Sequence, residues 1–353
     1  MEAKPKILYV HLGLTTFVKR DMEMLSEGYQ LISYAFTMAK KSHLPWRLLH
    51  QLWFLLHHIW RTDLVVVQFA GYHGVLPGLL AKLGGQKMLV IASGTESASY
   101  PSIHYGNYHK KIYSWFTRWT FRLCHHIAPV HESLMYWENE YYDLDGKEQG
   151  IFAHVPNFKR PYTMIPYGYD CQKWATPKVS KKVNTGITVA FIPDKIRYEL
   201  KGIDIIIKAA ASVPEMQFTI VGMSYKPDEL IPSNVKILGP QPHDAIHALL
   251  DESAFYFQLS ISEGHPNALS EGMLKECVPI GSAVTSIPEI ISDTGYVLKE
   301  RSAKALTLLL QKAMQGPWPA MGKAARERIC GVYPHSRRAN ALVELAQKLI
   351  TDA

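Results

Sequence analysis

The chain alternates short apolar runs of strand length with longer helix-patterned segments, and it does so twice. That alternation limits the fold more than any other feature. In the first half, residues 7–10, 30–35, 64–69, 88–92 and 127–130 read as buried strands. Helical patterns fall between them at 18–25, 45–60, 75–83 and 109–123. The second half repeats the pattern, with strands at 187–192, 217–221, 235–238, 254–259, 278–281 and 296–298 and helices at 203–212, 244–250, 266–275, 302–314 and 339–350. Such alternation builds parallel sheets covered by helices on both faces, which take ligands at the C-terminal ends of their strands. It predicts an α/β chain of two doubly wound, Rossmann-like domains facing a cleft. The expected limits are 1–170 for the first domain, 171–186 for a polar linker, 187–335 for the second domain and 336–353 for a C-terminal helix packing back on the first.

At 353 residues the chain can build two cores. No apolar run approaches the ~20 residues that span a bilayer. The residues before the first strand carry no signal-peptide core, and Cys124, Cys171, Cys277 and Cys330 are scattered without metal-type spacing. A reduced, cytoplasmic protein is therefore expected. The net charge of +7 suits a phosphorylated ligand, a nucleic acid or an anionic membrane face. There is no Gly-x-Gly fingerprint and no Gly-Lys-Ser/Thr loop, which argues against dinucleotide enzymes and NTPases.

The stretch Ile261-Ser262-Glu263-Gly264-His265-Pro266-Asn267-Ala268-Leu269-Ser270-Glu271 follows a strand and opens a helix, with Pro266 suited to the first helical position. Glu263 then sits on the loop and Glu271 one to two turns into the helix. At about 1.5 Å per residue they are too far apart to share a proton or a metal. A long ligand could touch both, with a phosphate on the free amides between them. The string continues through Glu276-Cys277-Val278-Pro279 to Ile287-Pro288-Glu289. It resembles the donor-site signature of GT-B glycosyltransferases of family 4, with Glu276 where a Gly is usual and one residue more between Glu271 and Pro279.

That resemblance implies roles. Glu263 would contact the donor sugar and Glu271 the ribose. His265 and Pro266 would flank the donor, with the amides of Asn267, Ala268 and Leu269 on the distal phosphate. Arg197 and Lys201, read on a strand-to-helix loop, resemble the family's Arg-then-Lys-Gly diphosphate clamp, which stabilises the leaving group without a metal. Gly222 and Gly239, ending strands, resemble the edge of the nucleotide-base pocket. Gly94-Thr95-Glu96 resembles a Gly-Thr-acid element, making Glu96 a candidate at the reacting centre. Gly13, Thr15, Thr16 and Tyr105 are assigned to the acceptor side, Thr15 or Thr16 being equally readable as a helix cap. Residues 164–170 resemble the family's passage into the linker.

The resemblance implies a retaining, metal-independent transferase. It would move a sugar from a UDP- or GDP-type donor to a glycan or lipid-linked acceptor in surface polysaccharide or lipopolysaccharide assembly. No cofactor is expected beyond the nucleotide-sugar co-substrate. The rivals are a GT-B nucleotide-sugar epimerase and a nucleic-acid-binding module. One surface signal stands apart. Trp46, Trp53 and Trp60 recur every seven residues, and Lys111, Arg118 and Arg122 share a face of a later helix, in part opposite Ile112, Trp119 and Leu123. This reads either as a docking face for an anionic membrane or as a core stripe beside a solvated basic face.

Overall fold

The computed structural model describes residues 4–352 except 143 and 178. In the first domain the elements run β1 Lys6–His11, α1 Thr16–Ser26, β2 Gln30–Ala35, α2 Leu44–His58, β3 Leu64–Gln68, α3 Tyr72–Gly84 and β4 Lys87–Ala92. A small antiparallel pair, β5 Ser99–Tyr100 with β6 Tyr105–Gly106, precedes α4 Lys111–Leu123 and β7 His126–Pro129. A second pair, β8 Trp137–Glu138 with β9 Glu148–Gln149, and the turn α5 Ile151–His154 complete the unit. The second domain holds β10 Lys182–Ile192, α6 Lys195–Leu200, α7 Ile203–Ala210, β11 Gln217–Met223, β12 Val235–Leu238, α8 His243–Glu252 and β13 Ser253–Gln258. It continues with α9 Asn267–Leu274, β14 Val278–Ser282, α10 Ile287–Ile291, β15 Tyr296–Leu298, α11 Ala303–Met314 and α12 Trp318–Val332. Last comes α13 His335–Thr351.

Both main sheets are parallel throughout, in the orders β2-β1-β3-β4-β7 and β12-β11-β10-β13-β14-β15. Each order reverses once, between β1 and β3 and between β10 and β13. A crevice opens at such a point because the crossover helices leave to opposite faces. Along β1, alternate residues enter different cores. Leu8 and Val10 pack with Leu55, Ala81 and Phe121 of α2, α3 and α4. Ile7 and Tyr9 pack with Val18 and Leu25 of α1 and Leu342, Leu345 and Leu349 of α13. So α2, α3 and α4 share one face of the first sheet, and α13 crosses from the second domain to cover the other. Arg338 of α13 and Asp21 of α1, both buried, form a two-pronged ion pair at 2.7 Å.

Three expectations need correction. The linker ends earlier than residue 186, because β10 already begins at Lys182. Its first five residues, Lys182-Val183-Asn184-Thr185-Gly186, are mostly polar and carry no apolar run to mark a strand. The cysteines are not all reduced: Cys171 is bonded to Cys330, their Cα atoms 5.9 Å apart, while Cys124 and Cys277 are free and buried. A contact across 159 residues leaves no trace in spacing. Finally, α9 starts at Asn267 with Pro266 as its N-cap, one residue later than expected.

The α9 terminus resolves the unusual Glu276. Its N–H bonds Met273 O, the N–H of Cys277 bonds Gly272 O, and Glu276 has φ +56°. This is the Schellman arrangement, in which a left-handed residue satisfies the last carbonyls. Glu276 occupies the position that glycine ordinarily fills.

Candidate active site

A cavity of about 860 Å³ lies between the two sheets. Its walls come from the loops after β1 and β3 on one side and after β10 and β13 on the other, the two switch points facing each other.

On the second domain the loop after β10 does not stay a loop. The Asp194 carboxylate caps it by accepting the Arg197 N–H at 2.8 Å, and α6 follows. Arg197 therefore projects from a short helix and Lys201 from its C-terminal cap, a correction to the loop placement. Gly202 turns the chain at φ +68°, where a Cβ would meet Leu259 O at 2.1 Å, so no other residue fits. That turn aims Lys201 at β13. Its Nζ reaches Glu263 Oε1 at 2.5 Å, and the same oxygen accepts from Gln258 Nε2 at 2.9 Å and Ser260 Oγ at 2.7 Å. The guanidinium of Arg197 lies across the cleft, 5.7 Å from the centre of the Tyr105 ring.

Next comes the α9 N-terminus. The N–H of Ser270 makes its first intrahelical bond, to Pro266 O, so those of Asn267, Ala268 and Leu269 have no helical partner. Asn267 and Ala268 line the cavity, whereas the Leu269 side chain is in the core. Asn267 Oδ1 accepts from Tyr169 OH at 2.8 Å, which ties the helix start to the first domain. His265 is buried among Tyr167, Tyr169 and Tyr333, with both ring nitrogens unpartnered. Burial drives its pKa down to about 3, so the ring is neutral at ordinary pH.

Across the cleft the backbone of the first domain presses on the second. A Cβ on Gly264 would lie 1.7 Å from Ser93 O, and one on Gly94 would lie 3.3 Å from Gly264 N. Glycine at 264 is thus a condition of domain contact. Just beyond, Glu96 is buried in the turn Thr95–Ser97, its Oε1 accepting the Ser93 N–H at 2.5 Å. Burial raises its carboxyl to about 7 although neighbouring backbone N–H groups oppose the shift. It stands close to half-protonated at neutrality. Tyr105 OH lies 3.2 Å from Thr95 Oγ1 and is pushed to about 12 by burial.

Of the residues singled out from sequence, Glu263, Arg197, Lys201, Glu96, His265, Pro266, Asn267, Ala268, Thr15 and Tyr105 share this cavity. Glu271, Gly222, Gly239, Gly13 and Thr16 are not in its walls. Glu271 sits one turn into α9. Burial raises its carboxyl, and Arg20 of the first domain and His243 pull it back. Gly222 donates its N–H to Gly239 O at 3.3 Å, so the two strand-ending glycines hold each other beside the cavity. Thr15 is the N-cap of α1 by backbone only, without a side-chain cap bond, and Thr16 opens the helix. Sequence reading passed over Gln258 and Ser260, which hold Glu263. A polar residue closing the apolar run of β13 was the available signal.

Residues 172–329 match the family model for glycosyl transferases group 1. The matched segment takes in most of the second domain. Over the whole chain, solved structures show the same fold. Sucrose-phosphate synthase from Thermosynechococcus elongatus aligns at TM-score 0.74 and 14% identity, covering 99% of this chain and 100% of that one. A glycosyltransferase from Rickettsia africae ESF-5 aligns at 0.70 and 15%, with the same coverage. Anabaena HepE in complex with UDP aligns at 0.68 and 12%, again over 99% and 100%. No curated protein matches in sequence. The fold is GT-B, and the cavity lies in its interdomain cleft. On the second domain the α9 N-terminus, Lys201 and Arg197 bring positive charge and free donors to one side of the cleft. Among the described residues no three His, Cys, Asp or Glu side chains are grouped as metal ligands, and no helix is long and apolar enough to cross a membrane.

Proposed function

We propose that the chain transfers a sugar from a nucleoside diphosphate sugar to a hydroxyl of a glycan or lipid-linked acceptor. The observation that carries this reading is the convergence of Lys201, Arg197, Glu263 and the α9 amides on a cleft at both switch points. The diphosphate lies on the amides of Asn267, Ala268 and Leu269 with Arg197 and Lys201 opposite. Negative charge grows there when the bond from the anomeric carbon to phosphate breaks, and preorganised donors stabilise it. Glu263 holds the sugar hydroxyls, neutral His265 offers a ring N–H to the donor, and Glu271 reaches the ribose. The acceptor oxygen bonds to the anomeric carbon from the first-domain side and its proton passes to the departing phosphate. Retention and a metal-free reaction follow from the family 4 resemblance, as does a place in surface polysaccharide or lipopolysaccharide assembly. The UDP and UDP-sugar complexes among similar structures favour a UDP donor. A cytoplasmic site of action agrees with the two free thiols, and the Cys171–Cys330 bond speaks against it.

A thermal-shift panel of UDP-, GDP- and ADP-sugars, followed by turnover with the stabilising donor, tests this reading. No stabilisation by any nucleotide-sugar would end it. A nucleotide-sugar epimerase is the second reading, favoured by the Glu96 carboxyl poised near neutral pH in the same cleft. Donor incubated without acceptor separates the two, since interconversion of the sugar marks an epimerase.

A further inference from the structure

The tryptophans of α2 and of the single turn that follows it, residues 59–61, are not in the core. Trp46, Leu49, Trp53, Leu56 and Trp60 are all exposed, Trp46 by 75% and Trp53 by 61%. Their 3-4 spacing puts them on one stripe pointing away from the sheet, while Leu55 and Ile59 of the opposite stripe are fully buried. On α4, Ile112, Trp115 and Trp119 repeat the spacing and are also exposed, alongside Lys111 and Arg122 rather than opposite them. Arg118 turns away and donates to His154 O at 2.7 Å. Leu79 and Leu83 of α3, the helix between, continue the apolar surface, with exposed Lys82 beside them.

These three helices cover one face of the first sheet and contain no Asp or Glu. We infer that this face docks on the surface of an anionic lipid bilayer. Indole suits that place, having a large apolar body and an N–H for the wet headgroup layer. The cations beside it, Lys82, Lys111 and Arg122, match anionic headgroups, and Arg122 already stacks 5.8 Å over the Trp119 ring. A second copy of the chain fits poorly. The exposed cations of two such faces, with no acidic residue on these helices to match them, would repel. The mouth of the cleft adjoins this face, since Lys110 and Tyr113 at the start of α4 line the cavity. A lipid-linked acceptor would arrive from that side, a corollary that rests on the transferase reading. The docking itself does not.

The test is co-sedimentation with vesicles of phosphatidylcholine alone and of an equal mixture with phosphatidylglycerol, together with quenching of tryptophan by brominated acyl chains. Binding should be at least tenfold tighter to the mixed vesicles, fall as salt is raised, and bring quenching. The pair Trp46→Ser and Trp53→Ser should weaken it tenfold or more, and Lys111→Glu with Arg122→Glu should remove the anionic preference. Both variants should keep the thermal shift given by the stabilising nucleotide-sugar, which separates lost docking from lost folding or lost donor binding. Equal binding to both vesicle types, or variants that bind like the parent, would overturn the inference. So would self-association that these variants abolish in a protein that ignores vesicles.

Discussion

Lys201 Nζ lies 2.5 Å from Glu263 Oε1, so two residues assigned from sequence to different parts of a donor hold each other. Both are largely shielded, with side chains 21% and 13% exposed. The pair fixes the carboxylate, already gripped by Gln258 and Ser260. In the proposed reading it does so before any sugar arrives and keeps the ammonium beside the diphosphate. Removing either partner should therefore harm chemistry more than folding. Lys201→Ala and Glu263→Ala are each expected to lower kcat about 10²–10³-fold, the range for losing one preorganised charge stabiliser. The far-UV spectrum should stay unchanged. Single-turnover rates with the stabilising donor check this, and wild-type rates in either variant would refute the donor-site assignment.

Glu96 makes stability depend on pH. Its carboxyl rises from 4.5 to about 7 on folding. Between those values the unfolded chain has lost the proton and the folded chain retains it, so stability falls as pH rises through the window. Glu96→Gln keeps an oxygen for the Ser93 N–H and removes the titration. It should raise stability by about 3 kcal/mol at pH 8 and by nothing at pH 4, as converted from the shift. Urea midpoints at both pH values decide it; an equal gain at each would show that burial of this carboxyl is not the cause.

Gly264→Ala should part the domains without unfolding either one. The added Cβ would meet a backbone oxygen, Ser93 O, that cannot rotate away. Small-angle scattering should show a larger radius of gyration, and calorimetry a donor Kd raised at least tenfold. An unchanged radius together with an unchanged Kd would disprove the role of this contact.

Asp21→Ala leaves the Arg338 guanidinium buried without its counter-charge, keeping only its bonds to Ile165 O and Pro166 O. A loss of about 3–5 kcal/mol is expected. Replacing both, as Asp21→Leu with Arg338→Met, should restore much of it. Denaturant unfolding of the parent, Asp21→Leu, Arg338→Met and the double variant measures the coupling directly, and additive single losses would argue against it.

Glu276→Gly should stabilise the fold. A non-glycine residue in the left-handed region costs roughly 1–2 kcal/mol, and glycine returns about half of that gain by loosening the unfolded chain. A net rise of roughly 0.5–1 kcal/mol in thermal unfolding is the expected result, and a fall would show that the Glu276 side chain compensates.

How far the sequence could be read follows from which forces act locally. The strands of the two parallel sheets were legible because each contains a short apolar run such as residues 64–67, and their alternation with helices implied parallel sheets; the two-residue strands β5, β6, β8 and β9 are too short to leave one. Helix α12 was not. Pro317, Pro319, Gly322 and Gly331 break its pattern, and its stability comes from packing on α9 and β14. The cleft residues were found because Glu263 and Lys201 stand in distinctive strings that follow strands β13 and β10. Their ion pair, the Cys171–Cys330 bond and the Gly264–Ser93 contact each join distant segments, and nothing in local spacing announces a partner. The exposed stripe of α2 was ambiguous for another reason. A heptad of tryptophan and leucine has the same period whether it faces a core or the solvent, and only the helix's rotation on the sheet separates the two.

Helix α13 gives the first domain a peculiar timetable. Its sheet is complete by Pro129, yet the part of one face that α1 does not cover stays open until residues 335–351 have been made. At 5–20 residues per second that is roughly 10–40 s of synthesis. Throughout that interval a nascent chain displays Ile7, Tyr9, Leu64 and Val66 to the ribosome's surroundings. Chains of this architecture cannot finish their domains one after the other. The first is sealed by the last, and a polypeptide released short of α13 would carry an open hydrophobic sheet, a natural mark for holding chaperones and proteases.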